Sequence, residues 1–117
     1  MAELIEDSIL QTTKKMVNLV PEDNSFDLDI ITDINSVFTV LEQLGVGPEG
    51  GFVITSADDV WTDYIPANSK NINAVKTYMA LKVRLMFDPP TTSFVLEAIK
   101  NQIQELEWRL NAQVERG

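Results

Sequence analysis

Two successive prolines, Pro89 and Pro90, divide the last part of the chain into two helical patterns, and this break limits the available folds more than any other feature. Proline has no amide hydrogen and pushes the residue before it out of helical geometry, so a helix must end near Phe87. Upstream, Ile72, Val75, Met79, Val83 and Met86 form one apolar stripe, and Ala74, Tyr78, Leu81 and Leu85 form a second beside it. Only a narrow polar strip through Asn73, Thr77 and Arg84 remains, which is the pattern of a helix buried on most sides. Asn68, Ser69 or Asn71 can cap its start. Downstream, Thr91, Thr92 or Ser93 can cap a further helix whose seam runs Val95, Ile99, Ile103, Leu106, Leu110, Val114. Asn71 to Val114 therefore reads as a helix, a rigid corner and a second helix, with the upstream chain packed against that frame.

Trp108 falls off the seam. It lies two positions past Leu106 and so points to the opposite side, among Glu105, Gln104, Lys100 and Asn101. Two readings stand: a loop of the same chain covers the indole, or it anchors another subunit, as tryptophan often does at interfaces. Arg109 can pair with Glu105 one turn earlier, a few tenths of a kcal/mol of helix support.

The first half begins with a helical pattern over Leu4 to Leu19, with Ile5, Ile9, Thr12 or Thr13, Met16 and Val20 at helical spacing and Pro21 as its terminator. Asn24 or Ser25 then caps a second helix, whose first turn carries Asp27 and Asp29 at the positive end of the helix dipole. Its stripe is Ile30, Ile34, Val37, Leu41, Leu44, flanked by Ile31 and Phe38, and Gly45 supplies a left-handed closing residue. The acidic run Asp23, Asp27, Asp29, Asp33 lacks the ligand alternation, mid-loop glycine and closing glutamate of a calcium loop, and helix-start charge explains it better.

Between the second and third helices the pattern changes. Gly47-Pro48-Glu49-Gly50-Gly51 is a break, Phe52-Val53-Ile54-Thr55 and Val60 to Ile65 are β-prone, and Ser56 to Asp59 is turn chemistry. The expectation is a mainly α, four-helix single domain over residues 1–117, with a short β-hairpin or extended loop inserted between helices 2 and 3. Trp61 and Tyr64 either tuck that insertion onto the helices or reach a neighbouring copy together with Phe52 and Ile54.

Composition narrows the function classes. The 117 residues suit one domain. Without cysteine or histidine, disulfides, thiolate metal sites and the usual nucleophile, general-base and zinc constellations cannot be assembled. No catalytic, cofactor-binding or metal-binding residue is nominated, and an enzyme is not expected. Asp58 and Asp59 are adjacent in a turn and do not read as an acid and base pair. The start of the chain, acidic at Glu3, Glu6 and Asp7, resembles neither a signal peptide nor a membrane span, so a soluble protein that stays where it is made is expected. Residues 1–63 carry thirteen acidic and two basic side chains, net −11, whereas residues 64–117 carry five acidic and seven basic, net +2. An acidic half argues against general nucleic-acid binding and suits a surface that DNA passes without sticking, a basic partner, or simply a solvated face.

Tyr78 to Phe94, with its core Arg84-Leu85-Met86-Phe87-Asp88-Pro89-Pro90-Thr91-Thr92, followed by Glu105-Leu106-Glu107-Trp108-Arg109-Leu110-Asn111, resembles the head-tail connector (adaptor) proteins of tailed bacteriophages and prophages. So do Asp33 to Phe38 with Leu41, Gln43 to Gly47, and Trp61-Thr62-Asp63-Tyr64. The resemblance covers nearly the whole chain, and its motifs are structural. It implies a virion protein of the head-tail interface, assembled in the host cytoplasm. It implies a homo-oligomeric ring, dodecameric in the virion, beneath the portal protein. Such a ring extends the DNA channel without binding DNA specifically and presents a platform to a downstream connector, stopper or tail protein. No membrane, catalysis or cofactor is implied. In such a ring Trp108, Arg109 and Glu105 would contact the portal or the adjacent subunit, and Phe52, Ile54, Trp61 and Tyr64 would contact a neighbour. The reading outside this family is a soluble helical adaptor or regulator that binds a cellular partner as a monomer or dimer.

Overall fold

The computed structural model describes residues 5–115. Five helices follow in order: α1 (Ile9–Met16), α2 (Asp27–Gln43), the single turn α3 (Trp61–Tyr64), α4 (Ile72–Phe87) and α5 (Ser93–Glu115). The protein is mainly helical. Helix α4 packs against α1, α2 and α5, as its two apolar stripes require. Val75, Tyr78, Met79, Ala80 and Val83 are buried along it, whereas Met86 in its last turn is 44 % exposed. From α2, Ile30, Ile34, Val37, Phe38 and Leu41 complete the centre, and Ile99, Ile103 and Leu110 of α5 close it from the far side of α4.

The two upstream helices end by one device. Asn18, at φ 68°, follows α1, with the Asn18 amide bonded to the Lys15 carbonyl and the Leu19 amide to the Lys14 carbonyl at 2.8 Å. Gly45, at φ 87°, follows α2, with its amide on the Glu42 carbonyl and the Val46 amide on the Leu41 carbonyl, both at 2.9 Å. Each is a left-handed residue that turns the chain back on the carbonyls the helix leaves open. A Cβ at Gly45 would meet Val114 Cγ1 at 2.9 Å, so the same residue lets α5 approach α2.

Helix α1 differs from its expected form. Leu4, where it was to begin, lies outside the described residues, and the helix starts only at Ile9, because the Ser8 hydroxyl accepts the Gln11 amide at 3.2 Å and caps it there. It ends at Met16, and Asn18 turns the chain before Pro21 is reached. Its buried face is Ile9, Leu10, Thr13, Lys14 and Val17, leaving Met16 48 % and Val20 61 % exposed. The cause is Lys14. Its ammonium, with the side chain only 1 % exposed, donates to the Pro21 carbonyl at 2.9 Å, the Asp23 carbonyl at 2.7 Å and Asp27 Oδ1 at 2.6 Å. All three of its protons are used, which is the condition for burying a charge without heavy loss. The lysine thus ties α1, the turn and the first residue of α2 together. That first turn has Phe26 as its N-cap with no side-chain hydrogen bond, so neither Asn24 nor Ser25 plays the expected part.

The insertion takes the extended-loop form, not the hairpin. Phe52 to Thr55 finds no partner strand in Val60 to Ile65. Instead the Asn35 side chain of α2 accepts from the Ile54 amide at 2.8 Å and donates to the Ile54 carbonyl at 3.0 Å, standing in for a strand. Val60 makes a single antiparallel bridge with Ser8, in which Ile9 donates to the Asp59 carbonyl and Trp61 to the Asp7 carbonyl. Trp61 to Tyr64 then coils into α3, helped by Asp63 Oδ2 accepting the Val60 amide at 3.3 Å.

Two phenols are locked into this framework. Tyr64 donates to the Val46 carbonyl at 3.3 Å, and Tyr78 donates to Glu107 Oε2 at 2.6 Å, joining α4 to α5. Burial pushes both above the ordinary tyrosine range, and the Glu107 carboxylate pushes Tyr78 further in the same direction. A group whose pKa is raised by folding contributes stability that is complete below its unfolded pKa, about 10, and is lost as pH rises beyond it. The urea midpoint should therefore decline above about pH 10, and Tyr78→Phe should make that decline shallower. An identical pH profile in the variant would show that Tyr78 is not the group responsible.

Candidate interaction surface

Helix α5 offers its two sides to different surroundings. Its 23 residues run about 35 Å. On the inner side, Ile99, Ile103 and Leu110 are buried, while Val95 at 38 % and Val114 at 40 % exposure show where the seam leaves the core at either end. The Tyr78 hydroxyl holds Glu107, and Asn111 Nδ2 donates to the Leu44 carbonyl at 3.3 Å, satisfying an open carbonyl at the end of α2. The helix is therefore a fixed platform rather than a loose arm.

On the outer side stands Trp108, 72 % exposed. Among the described residues no loop covers it, which removes the first of its two readings. Beside it Arg109 Nη2 donates to Glu105 Oε1 at 2.7 Å, with both side chains mostly in solvent. Such an exposed pair adds only about 0.3–0.5 kcal/mol, so its part is to hold two charged heads in place next to the indole. Trp108, Arg109, Ala112 and Gln113 line a shallow depression on this face. The indole brings the largest apolar surface, and the paired charges bring donors and acceptors around it, which is the usual make-up of a contact anchor.

The other four residues expected to reach a neighbour are placed differently. Ile54 is 1 %, Trp61 1 % and Tyr64 5 % exposed, all within the core of their own chain, and Phe52 is partly buried against them. Phe38 is the hub: its ring centroid lies 4.6 Å from Tyr64, 5.2 Å from Phe52 and 6.3 Å from Trp61. Trp61 Nε1 donates to Thr12 Oγ1 at 2.9 Å, and the Lys76 ammonium sits 5.8 Å from the indole centroid while pairing with Asp7. Of this segment only Val53, at 63 % exposure, turns a large apolar side chain outward.

Sequence reasoning passed over Phe94, the most exposed large apolar side chain among the described residues, at 84 %. The signal was present, since Phe94 lies off the seam of α5 as Trp108 does. Of the acidic run, Asp27 is taken up by Lys14, and the Ser25 side chain, then the Ser25 amide at 2.9 Å, hold the Asp23 carboxyl below the usual range. Burial, and then the Asp29 charge one turn away, pushes the Asp33 carboxyl up. Among the described residues no group of three or more acidic side chains converges to hold a metal ion.

The outer face of α5 is thus an exposed indole beside a charged pair, on a small helical scaffold. A family model, Phage connector protein, matches residues 9–117. The chain belongs to the phage connector protein family. Neither a curated protein nor a solved structure matches it. This connector is accordingly a structural phage protein and a virion component that meets other virion components. No described helix of the connector is long and apolar enough to cross a membrane.

Proposed function

We propose that the connector assembles as a ring beneath the portal, joins capsid to tail and extends the DNA channel. The observation that carries this reading is the bare Trp108, flanked by the Arg109–Glu105 pair on a helix held rigid from behind. This face of α5 docks against the portal or the adjacent subunit. Exposed acidic groups of the first half of the chain, among them Asp29, Glu42 and Glu49, line part of the channel. None of the three has an ion-pair partner among the described residues, and uncompensated carboxylates repel the phosphates of passing DNA. An assembled ring whose lumen is rich in Lys and Arg instead would remove that assignment.

The deciding experiment is the mass of the purified connector by light scattering, alone and with a portal. A discrete ring that forms on adding portal is the expected result. A monomer or dimer indifferent to portal would transfer the function to an adaptor with a cellular partner. Trp108→Ala should weaken portal-dependent assembly at least roughly ten-fold while changing subunit stability by no more than about 0.5 kcal/mol. Circular dichroism separates the outcomes, because an unfolded variant would make Trp108 a residue of the core.

A further inference from the structure

The outer face of α5 carries a complete second stripe. Phe94, Ala98, Asn101, Glu105, Trp108 and Ala112 recur at steps of four, three, four, three and four, on the side away from Ile99, Ile103 and Leu110. This is the spacing of a helix that pairs with another helix. Five of the six are exposed and Ala112 is half-buried. We propose that in the free connector this face is covered by the same face of a second copy, in an antiparallel α5–α5 dimer whose two-fold axis lies level with Ile103. The inference goes beyond the ring reading and does not depend on it.

The order of residue sizes argues for that arrangement. About a centre at Ile103, Phe94 comes level with Ala112 of the second copy, Trp108 with Ala98, and Asn101 with Glu105. Every large side chain meets a small one, and the carboxylate meets an amide that can donate to it. A parallel pairing in register would set tryptophan on tryptophan, leave alanine facing alanine, and oppose two Glu105 carboxylates. The depression lined by Trp108, Arg109, Ala112 and Gln113 is the place where Phe94 of the second copy arrives. The area also fits. Two exposed aromatics at roughly 150 Å² each, with the four smaller residues, give about 500 Å² per copy and about 1,000 Å² in total, the lower limit for a specific interface. A contact of that size makes a reversible dimer. Because each copy offers the same patch, the two-fold closes it and no further copy adds through this face. The dimer covers Trp108 until another partner competes for it.

Sedimentation velocity of the full chain across low to high micromolar concentrations tests this. A monomer–dimer equilibrium is expected. Trp108→Ala and Ala98→Lys should each weaken it by roughly thirty-fold or more, with unchanged far-ultraviolet dichroism because both sites lie in solvent. The chain has no cysteine, so introduced thiols give an unambiguous register. Asn101→Cys and Glu105→Cys variants, mixed, should form a disulfide with each other and not with themselves. A monomer at every concentration, a dimer indifferent to both surface variants, or an Asn101→Cys chain linked to itself would overturn the proposal. A monomer that still forms rings with portal would overturn the dimer and leave the ring reading standing, so the two fail separately.

Discussion

Replacing Lys14 with methionine should destabilise the subunit by about 3 kcal/mol, even though methionine fits the same space. The loss comes from what the ammonium leaves behind. The Pro21 and Asp23 carbonyls and the Asp27 carboxylate all accept from Lys14 Nζ within 2.9 Å, and none of them accepts from another donor among the described residues. Asp27 retains 27 % side-chain exposure, so water recovers part of its solvation and keeps the loss at the lower end of the range for a broken buried pair. The double variant Lys14→Met/Asp27→Asn should be less destabilised than the two single changes added together, because the second change removes the charge that the first stranded. Urea unfolding followed by circular dichroism measures all three. A Lys14→Met chain within about 0.5 kcal/mol of the parent would mean that the ammonium does not hold the α1–α2 turn in solution.

Trp61→Ala should cost about 4 kcal/mol, the middle of the range for emptying a buried aromatic site. The indole is 1 % exposed, packs on Phe38 and ties the insertion to α1 by a hydrogen bond to Thr12. Trp61→Phe should recover about half of the loss, since it restores most of the packing but not the N–H donor. The same Trp→Ala change at position 108 is expected to leave stability nearly untouched and to act on assembly. Measuring both variants for stability and for mass therefore separates a tryptophan that builds the subunit from one that the subunit displays. Equal destabilisation by the two would contradict the exposure of Trp108.

The difference between those two tryptophans also marks the limit of reading this chain from its sequence. Trp108 sits in a long helix with a regular seam, and a period of 3.6 residues fixes the side to which each residue points, so its place off the seam was legible, though whether a loop covers it was not. Phe94 and the stripe between them were legible by the same rule. Trp61 sits among β-prone residues, where propensity favoured a hairpin but two short strands have little stability of their own. What decides the conformation is Asn35, far away in α2, whose amide satisfies both polar groups of Ile54 and leaves Val60 to Ile65 free to coil.

Local pattern by itself determined the mainly helical domain, the break at Pro89-Pro90, the closing of α2 at Gly45, the buried character of α4 and the two sides of α5. Each depends on backbone chemistry or on periodicity within one element, and both can be read without knowing what lies next to it. Tertiary structure alone decided the shortened α1, the buried Lys14 and the commitment of Ile54, Trp61 and Tyr64 to the core. Each of these depends on a partner distant in sequence: the carbonyls of the turn after α1, the amide of Asn35, the ring of Phe38. No propensity carries that information, because a lysine is buried only when three acceptors converge on it, and convergence is a property of the folded chain.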